Sequence, residues 1–183
     1  SKINFYENKS IKNLSKFKII SNVYLDDSTL NIYDLSVNDN LYIVNRENLN
    51  KTELIVLDNN SKAITLKKDL PITSNELWVK FLILNNKNIL GIKKNNSTKK
   101  LELHVIGSNY SKIVKNYKTP LKSYFDWHFI LSKNEDLYCI KKKENKVEAF
   151  ILSKTHNYNK VVFRSKTNLK YDNNTKFEFC LDS

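Results

Sequence analysis

The sequence predicts an all-β fold, a small β-propeller of about four blades built from repeats of ~48 residues. Three observations carry that expectation. Apolar anchor segments recur at one spacing: Leu41-Tyr42-Ile43-Val44, Ile89-Leu90-Gly91-Ile92 and Leu137-Tyr138-Cys139-Ile140 each start 48 residues after the last. The apolar runs are short, rich in Ile, Val, Phe, Tyr and Leu, and bounded by Asn, Asp, Ser and Lys clusters, which is the pattern of strands and turns. No segment sustains a helical period, whereas Lys100 to Ile106 alternates as a half-buried strand does.

Each unit reads as four strands. The first is aromatic or apolar: Leu30-Asn31-Ile32-Tyr33, Trp78-Val79-Lys80-Phe81, Trp127-His128-Phe129 and Phe177-Glu178-Phe179. The second is the Leu-Tyr-x-Ile set above. The third begins with Glu in Glu53-Leu54-Ile55-Val56-Leu57, Glu102-Leu103-His104-Val105-Ile106 and Glu148-Ala149-Phe150-Ile151-Leu152. The fourth follows Ser15-Lys16, Ser61-Lys62, Ser111-Lys112 or Asn159-Lys160 and runs to Leu25, Leu70, Leu121 or Leu169. Ile3-Asn4-Phe5-Tyr6 fits a third strand, so the chain starts with the second half of a unit and ends with a first strand. The whole of 1–183 then forms one domain, with units at about 26–72, 73–122 and 123–170 and a closing unit from 171–183 plus 1–25. A frame starting at the second strand is also open. So is a ring completed by a second copy of the chain, because an unpaired edge invites pairing.

Composition bounds the function. The chain has 183 residues, 40 % of them hydrophobic, with two Gly and two Pro, which excludes disordered, collagen-like and flexible-linker classes. No apolar run nears the about 18 residues of a membrane span. Lys and Arg number 31 against 19 Asp and Glu, for a formal charge of +12, which favours polyanionic partners. Much of the Lys and Asn excess is what an AT-rich coding bias produces. Met is absent, which fits a processed or trimmed chain whose targeting segment has gone. Cys139 and Cys180 sit in apolar runs, as buried thiols or as one disulfide of an oxidising compartment. Asn-x-Ser/Thr sequons begin at Asn8, Asn13, Asn50, Asn59, Asn95, Asn96, Asn109 and Asn173, a hint of secretion.

Asp136-Leu137-Tyr138-Cys139-Ile140-Lys141-Lys142, Val147 to Ser153 and Asn157-Tyr158 form a pattern of packing residues. Glu102 to Ile106 with Asn109-Tyr110 repeats its second half. This pattern resembles the FG-GAP/VCBS-type propeller repeats of secreted bacterial proteins, over about residues 30–181 and best in the third unit. The resemblance implies a propeller and an extracytoplasmic location. It also implies a calcium loop before the second strand, where alternating oxygens wrap the ion and Gly permits the turn. Here those loops read Ser36 to Asn40, Asn85 to Asn88 and Ser132 to Asp136, without Gly and with Lys in ligand places, so no cofactor is expected.

Catalytic chemistry is thin. His104, His128 and His156 have no metal-ligand spacing, and no nucleophile elbow or phosphate-cradling Gly loop occurs. Asp126 beside Trp127 has no identifiable carboxylate partner, so the chain reads as a non-enzyme. Trp78 and Trp127 hold equivalent positions. Either they pack between blades, or they offer rings on which a pyranose stacks while Asp126, Asn134 and Asp136 bind hydroxyls. Lys93, Lys94, Lys141, Lys142 and Lys143 would line a basic rim. Two functions follow as expectations: a lectin-like, carbohydrate-binding module, or an interaction scaffold holding a protein or polyanionic partner on that rim.

Overall fold

The computed structural model describes residues 2–7, 18–24, 30–35, 40–47, 51–58, 60–61, 63–73, 76–143 and 146–170. It is all-β, and among these residues the only helical element is a single 3-10 turn, Lys154–His156. The strands are β1 (Lys2–Glu7), β2 (Lys18–Tyr24), β3 (Leu30–Leu35), β4 (Leu41–Glu47), β5 (Lys51–Leu57), β6 (Ile64–Asp69) and β7 (Trp78–Ile83). They continue with β8 (Ile89–Asn95), β9 (Lys100–Ile106), β10 (Ile113–Lys122), β11 (Trp127–Leu131), β12 (Leu137–Lys143), β13 (Lys146–Leu152) and β14 (Val161–Lys170). No helix among the described residues is long and apolar enough to cross a membrane.

Every sheet is an antiparallel meander. Their orders are β3-β4-β5-β6, β7-β8-β9-β10 and β11-β12-β13-β14, with a two-stranded β1-β2. Each four-stranded sheet opens on the strand that carries the aromatic set, so the frame starting at the second strand is not the one adopted. The reason lies in the fourth strand. In β6, β10 and β14 one residue near the start (Thr65, Val114, Val162) has no partner opposite, because the register slips there. The same slip leaves Ile20 of β2 unmatched against Phe5 and Tyr6. Such a bulge twists an edge and spoils it as a template, so the chain starts a new sheet instead of adding a fifth strand. The final first strand expected at Phe177 to Phe179 lies outside the described residues.

The sheets stack by burying both faces. Tyr42, Val44, Leu54 and Val56 of the β3–β6 sheet pack on Trp78, Phe81, Ile89, Ile106 and Tyr110 of the next. The opposite face of that middle sheet (Leu82, Leu90, Ile92, Leu103, Val105) packs on Trp127, Phe129, Cys139, Phe150 and Leu152. Sequence alternation is therefore weak in the central strands, where both parities are apolar. Ile43, Ile55 and Leu57 form a further buried cluster on the far side of β4 and β5.

Gly91 shows how tightly one aromatic is seated. A Cβ there would lie 2.7 Å from Trp78 Cζ3 and 2.9 Å from Phe81 Cε1. The indole occupies the space that Ile43 and Cys139 fill at the matching positions of the other sheets. Gly91→Ala should therefore destabilise the protein by about 1–3 kcal/mol, the usual cost of overpacking. A urea titration measures it. An unchanged midpoint would mean that Trp78 is not held against β8.

Candidate functional site

The residues singled out in the sequence fall mostly into a structural row. On one face, Trp127, Lys141 and Glu148 stand side by side across β11, β12 and β13. Trp78, Lys93 and Glu102 repeat the row in the middle sheet. Neither tryptophan presents a ring to solvent: Trp78 is 5 % and Trp127 7 % exposed. Their indole N–H groups donate to Glu76 Oε2 (3.1 Å) and to the Lys122 carbonyl (2.8 Å). Both rings thus take the packing role, and the sugar-stacking face expected of them is spent inside the sheet stack.

Lys141 departs from the basic-rim reading for the same reason. It is 6 % exposed, with Nζ 3.2 Å from Glu148 Oε2 and 3.5 Å from the centroid of the Phe125 ring. Burying a lysine in this row is costly unless an opposite charge meets it there. Arg164 approaches Glu148 from the outer strand at 3.4 Å. Burial pushes the Glu148 carboxyl up, but Lys141 and Arg164 outweigh it and hold the group below the ordinary carboxylate range. Lys93 is half-buried and binds Glu76 at 2.7 Å, and burial of Glu76 is likewise outweighed by Lys93. Lys94 and Lys142 are half-buried, and the side chain of Lys143 lies outside the described residues.

Asp126 is exposed just before β11, and Asn134 is exposed at the tip of the β11–β12 turn. Asp136 serves that turn: its Oδ1 accepts the Lys154 N–H (2.8 Å) and its N–H donates to Ser132 Oγ (3.0 Å). Glu135 adopts φ 62°, and Lys87 adopts φ 66° in the equivalent turn. Glu135 is buried and works as an inter-sheet tie. Its Oε1 accepts the Asn85 N–H at 2.6 Å from the preceding sheet, and Oε2 pairs with Lys154. Its oxygens thus tie the two sheets together. Cys139 is a buried free thiol, pushed up by burial, and Cys180 lies outside the described residues.

An open cleft lies elsewhere, where the outer strand β10 meets the loop between β13 and β14. It has a volume of about 410 Å³, is open to solvent, and is lined by Lys115, Asn116, Tyr117, Lys118, Asn157 and Asn159. The loop that forms its second wall is unusual. Asn157 (φ 51°) and Tyr158 (φ 56°) are consecutive left-handed residues. That conformation drives Tyr158 inward, where its ring meets Tyr117 edge-on at 5.3 Å and its hydroxyl donates to the Glu135 carbonyl at 2.9 Å. Burial, then the neighbouring charges and tyrosine, push the Tyr158 hydroxyl up, so it stays a donor. With the tyrosine pinned, Asn157 is left exposed at the cleft mouth.

The matching junction between the first two sheets is bridged by a lysine. There Lys68 takes the register place of Tyr117 and donates to the Asn109 carbonyl at 2.5 Å. Asn109 Oδ1 is occupied too, accepting the Ser111 N–H at 3.2 Å. At the cleft a tyrosine stands where the first junction has a lysine. The sequence signal for it was Asn157-Tyr158, which as a repeated motif spoke for packing alone. A smaller pocket of about 170 Å³ lies between the first strands of the last two sheets, lined by Val79, Lys80 and Trp127 to Ile130. No protein-family model and no curated protein matches the chain.

The lowered carboxyls set the acid limb of stability. Glu148 and Glu76 bind protons less readily folded than unfolded, so their contribution is full above the ordinary value of 4.5 and is lost as pH falls through their lowered values. The urea midpoint should drop on acidification below about pH 4.5, and Glu148→Gln should flatten that drop while lowering the midpoint at pH 7. An unaltered acid limb in the variant would remove Glu148 as its source.

Proposed function

We propose that the chain is a non-catalytic carbohydrate-binding module, a small four-bladed propeller that takes its ligand in the cleft between adjacent sheets. The carrying observation is the set of exposed amides, Asn116, Asn157 and Asn159, that line one open cleft at the outer edge of the sheets. Amide groups both donate and accept, which suits vicinal hydroxyls. Sheets that repeat one order, one bulge and one stacking mode support the propeller. Closure of the ring by 171–183 with 1–25 fits the half-unit β1-β2. The resemblance to secreted repeat modules supports a location outside the cytoplasm.

A second reading, a scaffold for a macromolecular partner, draws on the outer strands. Lys68, Lys115, Lys118, Lys122 and Lys166 are all exposed there. Such a partner would need several strands at once, whereas a saccharide needs the cleft alone. Screening the purified chain on a glycan array, then repeating the hits with Asn157→Ala and Asn159→Ala, separates the two. The proposal expects discrete hits and at least a tenfold loss in the double variant, about 1.4 kcal/mol. Circular dichroism should remain unchanged, since neither amide is buried. Absence of any saccharide hit would overturn it in favour of the scaffold.

A further inference from the structure

We infer that Asn96, at the tip of the β8–β9 hairpin, is an acceptor site for an N-linked glycan. Asn95-Asn96-Ser97 and Asn96-Ser97-Thr98 each satisfy Asn-x-Ser/Thr, so the sequence leaves two candidates side by side. The structure separates them. Asn95 ends β8 half-buried, with both ends of its amide in use. Its Nδ2 donates to Glu102 Oε1 on the next strand at 2.7 Å, and its Oδ1 accepts the Ser97 and Thr98 N–H groups, each at 2.9 Å. Asn96, Ser97 and Thr98 are exposed in the turn that those bonds shape. Asn109 also begins an exposed sequon, but its middle residue, Tyr110, is buried in the core, and Lys68 bonds the Asn109 carbonyl. The sequons at Asn8, Asn13, Asn50, Asn59 and Asn173 lie outside the described residues.

The co-reactant is a polyprenyl-diphosphate oligosaccharide, presented by an oligosaccharyltransferase. The Asn96 amide nitrogen bonds the anomeric carbon, and the bond from that carbon to the diphosphate oxygen breaks. One amide proton passes to a base of the enzyme, the lipid diphosphate leaves, and nothing is oxidised or reduced. Transfer to a folded chain needs an amide in water. Transfer to a nascent chain yields a product that folds only if the linked sugar can point to water, because a glycan is bulky and hydrated. Asn96 meets both conditions, whereas a sugar on Asn95 Nδ2 would be driven against Glu102. The tip also lies away from the cleft. Asn96 stands past one end of β8 and Asn85 before the other, and Asn85 bonds Glu135, whose carbonyl takes the Tyr158 hydroxyl. A glycan at Asn96 therefore projects from the opposite end of the sheet to the loop of Asn157 and Asn159, and leaves that loop free.

Site mapping on the chain produced through a eukaryotic secretory pathway tests this. Peptide-N-glycosidase in heavy-oxygen water leaves a labelled Asp at each linked asparagine, and fragment-ion spectra of the hairpin peptide locate it. The label should fall on residue 96 and not on residue 95. Two single substitutions sort the overlapping sequons. Thr98→Ala removes the hydroxyl that the Asn96 sequon requires and should abolish labelling of the hairpin. Ser97→Ala breaks only the Asn95 sequon and should leave the label in place. Both variants keep the backbone N–H groups that bond Asn95 Oδ1, so the turn is preserved. An unlabelled hairpin in the unaltered secreted chain would overturn the site. So would a label on residue 95 that survives Thr98→Ala and vanishes with Ser97→Ala. The route is imposed by the experiment, so either result leaves the ligand reading of the cleft untouched.

Discussion

Each four-stranded sheet of this protein is apolar on both faces, and that constraint organises everything else. A sheet with one wet face can stand alone on a partner layer; a sheet whose both parities are Ile, Leu, Val and Phe needs a neighbour on each side. The middle sheet meets the demand twice, through Ile83, Ile89 and Ile106 on one face and Leu82, Leu90 and Leu103 on the other. The cost of leaving one such face in water runs to about 1.5–3 kcal/mol for every large side chain. Stacking by repetition is the solution a repeated sequence can reach, since one interface design serves each junction.

Polar groups inside the stack follow from the same demand. The Trp-Lys-Glu row spans three strands near one end of the sheet, where the second strand turns into the third. A lysine placed there faces a glutamate across the ladder, and its ammonium rests on rings already buried for packing. In the middle sheet the same design has drifted. Lys93 has turned to Glu76, while Glu102 accepts the Asn95 amide at 2.7 Å and lies 3.5 Å from His104. The row survives the exchange of partners, which marks it as a packing device whose charges must be balanced locally.

Strand order was legible from the sequence because the repeat aligned second strands with second strands and third with third. Errors in one unit were corrected by the others. Leu41, Ile89 and Leu137 each begin a strand, and Glu53, Glu102 and Glu148 share one register place opposite Asn45, Lys93 and Lys141. Exposure was not legible. Trp and Lys occupy the same row, yet nothing in a single chain says whether that row faces a neighbouring sheet or solvent. Lys141 looked like part of a basic run, Lys141 to Lys143, and only the pairing with Glu148 across β13 reveals its burial. The cleft was hidden for a further reason. It depends on a contact between residues about 40 apart, Tyr117 and Tyr158, and on the left-handed turn that aims the second ring at the first.

The two junctions show where such a fold can acquire a function without losing its packing. Interior positions are coupled: Gly91 answers to Trp78, and Glu135 answers to both Asn85 and Lys154. Outer-strand positions are not, because the bulge and the open edge leave their side chains few neighbours. At one junction Lys68 reaches across and bonds the Asn109 carbonyl. At the next, Tyr117 holds its place by ring contact, and the polar groups around it are released from structural duty. The two junctions thus differ in the type of side chain at one edge-strand position. The stack remains intact on either side of that position.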